Sequence, residues 1–280
     1  MTKCLAVSPF TMPAALAAAD EILGNPTWLG LPGNAAQAAW LESFRRRADL
    51  AAAMPEIHRN ATSSAAAHVA WLKSEGWEAQ ITQGTPFDLF LASTLNIVAK
   101  WHTIGRAYKE KDVDRVILKK GATASAGPGR PVVEVATQHP SFTFHFQQVV
   151  VPPPSLAGLM TYALDMVGQS ARESVSLDFP MVDLCVRNDA KYMIGLHAGE
   201  NEVTQAAEQL RLELNEVGGR ASAAAEIAVT RSVHFTRTVK IDGPFVVAIS
   251  RNGAPKDADK VMFAAYVDRD AWRKPEAGRI

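Results

Sequence analysis

The chain has 280 residues, 48% of them hydrophobic, and its 29 basic side chains balance 29 acidic ones. This is enough to bury a sizeable core, so one domain spanning 1–280 is expected, and the balanced charge gives no general attraction to nucleic acid or to an anionic membrane. Only Cys4 and Cys185 are present, which excludes a disulfide framework and a cysteine metal site and leaves two thiols expected to be unpaired.

No apolar run reaches the roughly 18 residues of a membrane span. Pro9 and Pro13 interrupt the alanine-rich start, so a secretory leader is not expected and a cytoplasmic location is favoured. Ser8 before Pro9 reads as a helix start, because a serine can cap an orphan amide and proline suits the first turn. The helix should run over Ala14 to Ile22 and end at Gly24-Asn25-Pro26. Asn34 can cap a second helix reaching Met54, with Arg45, Arg46 and Arg47 expected on its solvated face. Ser63 to Trp77 reads as a third, with Ala67, Val69, Ala70, Leu72 and Trp77 at helical spacing.

From there the periodicity turns to two. Thr85 to Trp101 reads as turn then strand, and Val113–Lys120 and Val132–Thr137 are short apolar runs joined across Gly121 to Pro131. Phe142, Phe144 and Phe146 alternate with Thr143 and His145. Leu156 to Val167 is predicted helical, Val175 to Val186 is an extended stretch broken at Pro180, and Val239–Ser250 and Lys260–Val267 are closing strands. Helices early and strands late predict an α+β architecture.

Leu210, Leu212 and Leu214 alternate with Arg211, Glu213 and Asn215, predicting a half-buried strand. The glycine pair Gly218-Gly219 follows, and beyond it Ala221, Ala223, Ala225, Ile227 and Val229 form a second apolar face at the same period. Arg220, Ser222, Glu226 and Thr230 fall on the other face. A chain folding back at the glycines would lay this second strand beside the first.

No phosphate-binding glycine loop, paired-histidine metal helix or nucleophile elbow occurs. No enzyme activity and no cofactor are therefore expected, although seven scattered histidines leave a spatially assembled hydrolytic triad as a further reading.

The stretch Leu212 to Gly219 followed by Ala221 to Ala225 resembles the hinge of the serpins, the serine protease inhibitors. Three other stretches are similar to that family in its own order. Val7-Ser8-Pro9-Phe10-Thr11 resembles its Ser-Pro helix, Ser63–Trp77 with Phe90–Trp101 its sheet-crossing helix and tryptophan-ended strand, and Lys240–Asn252 its Pro-Phe strand. The resemblance implies helices packed on a large central sheet with mixed and antiparallel pairing, a second sheet and an exposed reactive loop over 219–236. The chain would be a shortened member, lacking the first helix and part of the N-terminal helical region.

The same resemblance implies a monomeric suicide-substrate inhibitor whose loop is cleaved and then inserts into the sheet. Its partner would be a serine protease, trypsin-like if Arg231 precedes the scissile Arg231-Ser232 bond and elastase-like if Ser232 does. Glu216, Gly218, Gly219, Arg220, Ala221, Ala223 and Ala225 would be the hinge. Ser8, Thr11, Ser93 and Trp101 would lie in the regions that control sheet opening. The alternative is a non-inhibitory binding or structural protein on the same scaffold. Departures are visible: Cys4 and Ser93 stand where the family commonly has asparagines, Glu208 lies near an expected histidine, Gly219 replaces a threonine or serine, and Arg220 replaces an acidic or small residue.

Overall fold

The computed structural model describes residues 4–79, 89–125, 130–169, 171–219, 237–254 and 259–275. The chain divides into two units, one formed by Met1–Ser8, Ile97–Val186 and Leu210–Ile280, the other by Pro9–Asn96 and Arg187–Gln209.

The first unit is built on a nine-stranded sheet. Eight strands follow the order Leu5–Val7, Val261–Val267, Phe245–Arg251, Phe142–Gln148, Val133–Ala136, Val113–Ser125, Ala171–Pro180 and Thr238–Lys240, and Arg106–Glu110 also pairs with Val113–Ser125. Pairing is antiparallel except at Thr238–Lys240, which runs parallel to Ala171–Pro180. Phe142, Phe144 and Phe146 are all buried, as their alternation predicts. His145 between them is buried too, so this strand is covered on both sides. The helix Leu156–Gly168, capped by Ser155, packs on Val246, Ala248, Val261, Ala264 and Tyr266.

A four-stranded sheet has the order Val182–Asp189, Ala207–Leu214, Gly218–Gly219, Ala99–Lys100. The stretch expected at Val175–Val186 is thus two strands, parted at Met181 and belonging to different sheets.

The second unit holds the helices Thr11–Leu23, Ala35–Ala52 and Ala65–Ser74 and an antiparallel pair, Ile57–Thr62 with Phe90–Leu95. Its core joins Leu16, Ala19, Phe44 and Ala48 from the first two helices to Trp28, Met193 and Leu196. Asn34 caps the second helix through the Gln37 amide as expected. Ser8 is not a helix cap: the first helix begins at Thr11 with Phe10 at the N-cap and no side-chain cap bond, because the chain is still extended as Leu5–Val7 just upstream. In the third helix the expected apolar face is not what is buried. His68 is its one buried residue among those described, its ring tilted by 38° against that of Phe90 at 5.4 Å. Arg45 is not simply solvated, since its guanidinium pairs with the buried Asp20, which also accepts from Trp28 Nε1 at 2.9 Å.

Candidate functional site

The strand Ala207–Leu214 ends in a tight reversal made by one side chain. Asn215 Oδ1 accepts from the amides of Val217 (2.8 Å) and Gly218 (3.1 Å), and the Asn215 amide donates to Gly218 O at 3.0 Å. Asparagine closes such turns because its short amide imitates a backbone carbonyl. The chain returns as Gly218–Gly219, a strand lying between two others: Leu214 pairs with Gly219 on one side, and Lys100 and Ala99 pair with Gly218 and Gly219 on the other.

Both glycines are buried and neither position has room for a side chain. A Cβ on Gly218 would sit 2.4 Å from Ala99 O, and one on Gly219 would sit 2.5 Å from the ring of Phe144. Close backbone approach is therefore what these two positions need glycine for.

Trp101 fixes the reversal from beside it. Its amide donates to Val217 O (3.0 Å) and its indole Nε1 to Asn215 O (2.8 Å), and the residue is 1% exposed. Phe144 and Phe179 meet its ring edge-on at 5.1 and 6.1 Å, a favoured aromatic geometry. Glu216 O accepts from the Gly105 amide at 2.7 Å, where a Cβ would come within 2.5 Å of Val116. Among the proposed hinge residues Glu216, Gly218 and Gly219 thus share one site with Trp101. Arg220, Ala221, Ala223 and Ala225, and the bond Arg231-Ser232, lie outside the described residues.

Beyond residues 220–236 comes a strand of three residues, Thr238–Lys240. Among the described residues it pairs on one side, with Ser176, Leu177 and Asp178. A cluster of polar side chains reinforces it. Arg115, 3% exposed, donates to Asp178 Oδ1 (3.0 Å) and to Ile241 O (2.8 Å), Tyr108 donates to Asp178 Oδ2 (2.7 Å), and Lys240 reaches Glu110 at 2.7 Å. The bond to Lys240 lowers the Glu110 pKa. Burial, then the bond to Asp178, raises that of Tyr108. None of these residues was visible as a group in the sequence, since Arg115 and Asp178 are 63 apart.

In the second unit Thr11 and Ser93 come together. Ser93 Oγ donates to Thr11 O, and Thr11 Oγ1 donates to Glu208 Oε1 at 2.5 Å. Asn188 Nδ2 donates to the other oxygen of Glu208 at 2.9 Å. Ser8 belongs to the first unit, where it is buried. Asn188 escaped the sequence reading because it carries no periodic signal.

Burial raises the Glu208 pKa and outweighs the bonds from Thr11 and Asn188, which lower it. The folded unit therefore holds this proton to higher pH than the unfolded chain does. Its contribution to stability is full below the unfolded value of about 4.3 and is lost as pH rises through the raised value. Glu208→Gln should flatten that loss, which melting curves between about pH 4 and pH 8 would measure. Equal slopes for the two proteins would mean that Glu208 does not titrate in this way.

The two cysteines are free, with Cys4 Sγ accepting from the Asp268 amide at 3.3 Å. Among the described residues no helix is long and apolar enough to cross a membrane, and no cluster of metal-ligating side chains occurs.

No protein-family model and no curated protein matches the sequence. Solved structures do match the fold. A thermophilic serpin, Tengpin, in its native state superposes with a TM-score of 0.62 at 12% identity, over 95% of this chain and 89% of that one. Human thyroxine-binding globulin complexed with thyroxine gives 0.59 at 12% identity, over 95% and 91%. Serpin48, a highly specific serpin of the insect Tenebrio molitor, gives 0.56 at 14% identity, over 95% and 92%. The chain has the serpin fold, an α+β architecture with a large mixed sheet.

Proposed function

We propose that this chain inhibits a serine protease as a suicide substrate, with residues 219–236 as the bait-bearing loop. The observation that carries the reading is the strand Gly218–Gly219, seated between Ala207–Leu214 and Ala99–Lys100. It supports the reading because a loop continuing from Gly219 would run between the same two strands. Continued one residue at a time from the Leu214–Gly219 pair, the register brings Ala221 opposite Leu212 and Ala223 opposite Leu210. Residues directly opposite in an antiparallel ladder share a face. The small residues of the loop thus meet the buried leucines of the strand they would join.

The chemistry belongs to the target. The protease serine Oγ attacks the Arg231 carbonyl carbon, the Arg231–Ser232 amide bond breaks, and the serine proton passes to the departing Ser232 amine. An ester then links Arg231 to the protease while the freed strand enters the sheet. An arginine at this position suits a pocket with a carboxylate at its base.

The test is incubation with trypsin at near-equimolar ratio, read by denaturing gel and intact mass. An SDS-resistant adduct that disappears in Arg231→Ala is expected. Cleavage within 228–236 without an adduct would reduce the loop to a substrate and refute trapping of trypsin. A second reading, a binding protein on the same scaffold, draws on the thyroxine complex of one similar structure. An uncut loop would favour it.

A further inference from the structure

On the nine-stranded sheet one row of side chains is polar from strand to strand. Ser174 pairs with Thr123, Thr123 with Glu134, and Glu134 with His145. Residues opposite one another in antiparallel ladders lie on the same face, so these four form a line across it. Ser174, Thr123, Glu134 and Thr143, with Gly121 and Ala136, line a cavity of about 290 Å³. That is close to the lower end of ligand-pocket volumes, roughly 300 Å³.

Among the described residues no lysine or arginine pairs with the Glu134 carboxylate. Its polar neighbour among them is His145 Nδ1, 3.9 Å from Oε1 and beyond hydrogen-bond reach. His145 is 3% exposed, and burial pulls its pKa down to about 4, so its ring is neutral near pH 7 and cannot balance the charge. Among the described residues His145 Nδ1 has no hydrogen-bond partner, while its Nε2 lies 2.8 Å from Ser250 Oγ. Burial also raises the Glu134 pKa, the cost of a partly desolvated and unneutralised charge.

The order Ser250, His145, Glu134 has the outline of a hydrolytic triad. Ser250 is 4% exposed and is not among the residues lining the cavity, so its hydroxyl is not presented to a substrate there. The surroundings instead suit a cation with several N–H donors. Among the described residues no third metal-ligating side chain joins Glu134 and His145, which leaves a divalent ion short of ligands.

We propose that this cavity binds a compact primary ammonium, with Glu134 taking one N–H and the hydroxyls of Thr123 and Thr143 taking the others. An ammonium offers three donors and no acceptor, which matches one carboxylate and two hydroxyl oxygens. The inference is independent of protease inhibition, because no residue of the hinge or the loop takes part.

Ethanolamine titrated calorimetrically into the full chain tests it, with ethylene glycol as the uncharged analogue. Saturable single-site binding of ethanolamine is expected, with none for ethylene glycol. Glu134→Gln should weaken it about tenfold or more, the loss typical of a charge-assisted hydrogen bond. Thr143→Val keeps the carboxylate and should weaken binding by a smaller factor. Absence of saturable binding, equal binding of ethylene glycol, or unchanged affinity in both variants would overturn the proposal.

Discussion

Trp101→Ala is expected to destabilise the protein by about 3–5 kcal/mol, the range for removing a large buried aromatic side chain. The indole is enclosed by Phe144, Phe146 and Phe179, and its removal leaves a cavity that a covered sheet fills poorly. A second loss follows at the hinge. Asn215 O loses the donor at 2.8 Å that holds the reversal against the sheet. The backbone bond from the Trp101 amide to Val217 O survives the substitution, so the turn should loosen without detaching. Denaturant unfolding gives the stability change. Faster exchange of the Val217 and Gly218 amides than of amides in Phe245–Arg251 would separate the hinge effect from general destabilisation. A variant with wild-type stability would mean that Trp101 is not packed as described.

Cleavage of the loop between 228 and 236 is expected to raise the melting temperature, because it frees the strand to enter the sheet. A dozen inserted residues gain ladder hydrogen bonds at about 0.5–1.5 kcal/mol net each, and burying Ile227 and Val229 contributes about 1.5–3 kcal/mol apiece. The gain is on the order of 10 kcal/mol before the entropy of ordering the strand is subtracted. Continuing the register also brings Arg220 opposite Glu213, a side chain only 1% exposed. An arginine buried without a partner costs several kcal/mol, and a carboxylate directly across the ladder offsets part of that cost. Because only part of that cost is offset, Arg220→Ala should raise the gain produced by cleavage, and a smaller gain in the variant would mean that the pair with Glu213 outweighs the desolvation.

Much of the site was legible because it is periodic. The alternation of Leu210, Leu212 and Leu214 identifies a strand with one buried face, and all three leucines are buried. The glycine pair marks a place where backbones come close, and Ala99 O and Phe144 supply the neighbours. What the alternation misassigns is Glu213. Period two puts it on the solvent side, but the strand is covered on both faces there, and coverage is a property of the assembled sheets that one strand's pattern does not carry. The Arg115, Asp178 and Tyr108 cluster was hidden for a related reason: its members meet only after three strands pair in register. Ser8 was misread because Ser-Pro is a sound local signal for a helix start. Extension of the preceding residues as a strand outweighs it and delays the helix to Thr11.

Trapping of a protease requires that the cleaved loop enter the sheet beside Gly218–Gly219. The most direct test is the melting temperature of the protein before and after a single cut between 228 and 236, with the cut located by intact mass and both fragments retained. A rise in melting temperature is predicted, each kcal/mol of net gain being worth about 2 °C in a chain of this size. An unchanged or lower melting temperature in the cut protein would contradict insertion, and with it the trapping mechanism.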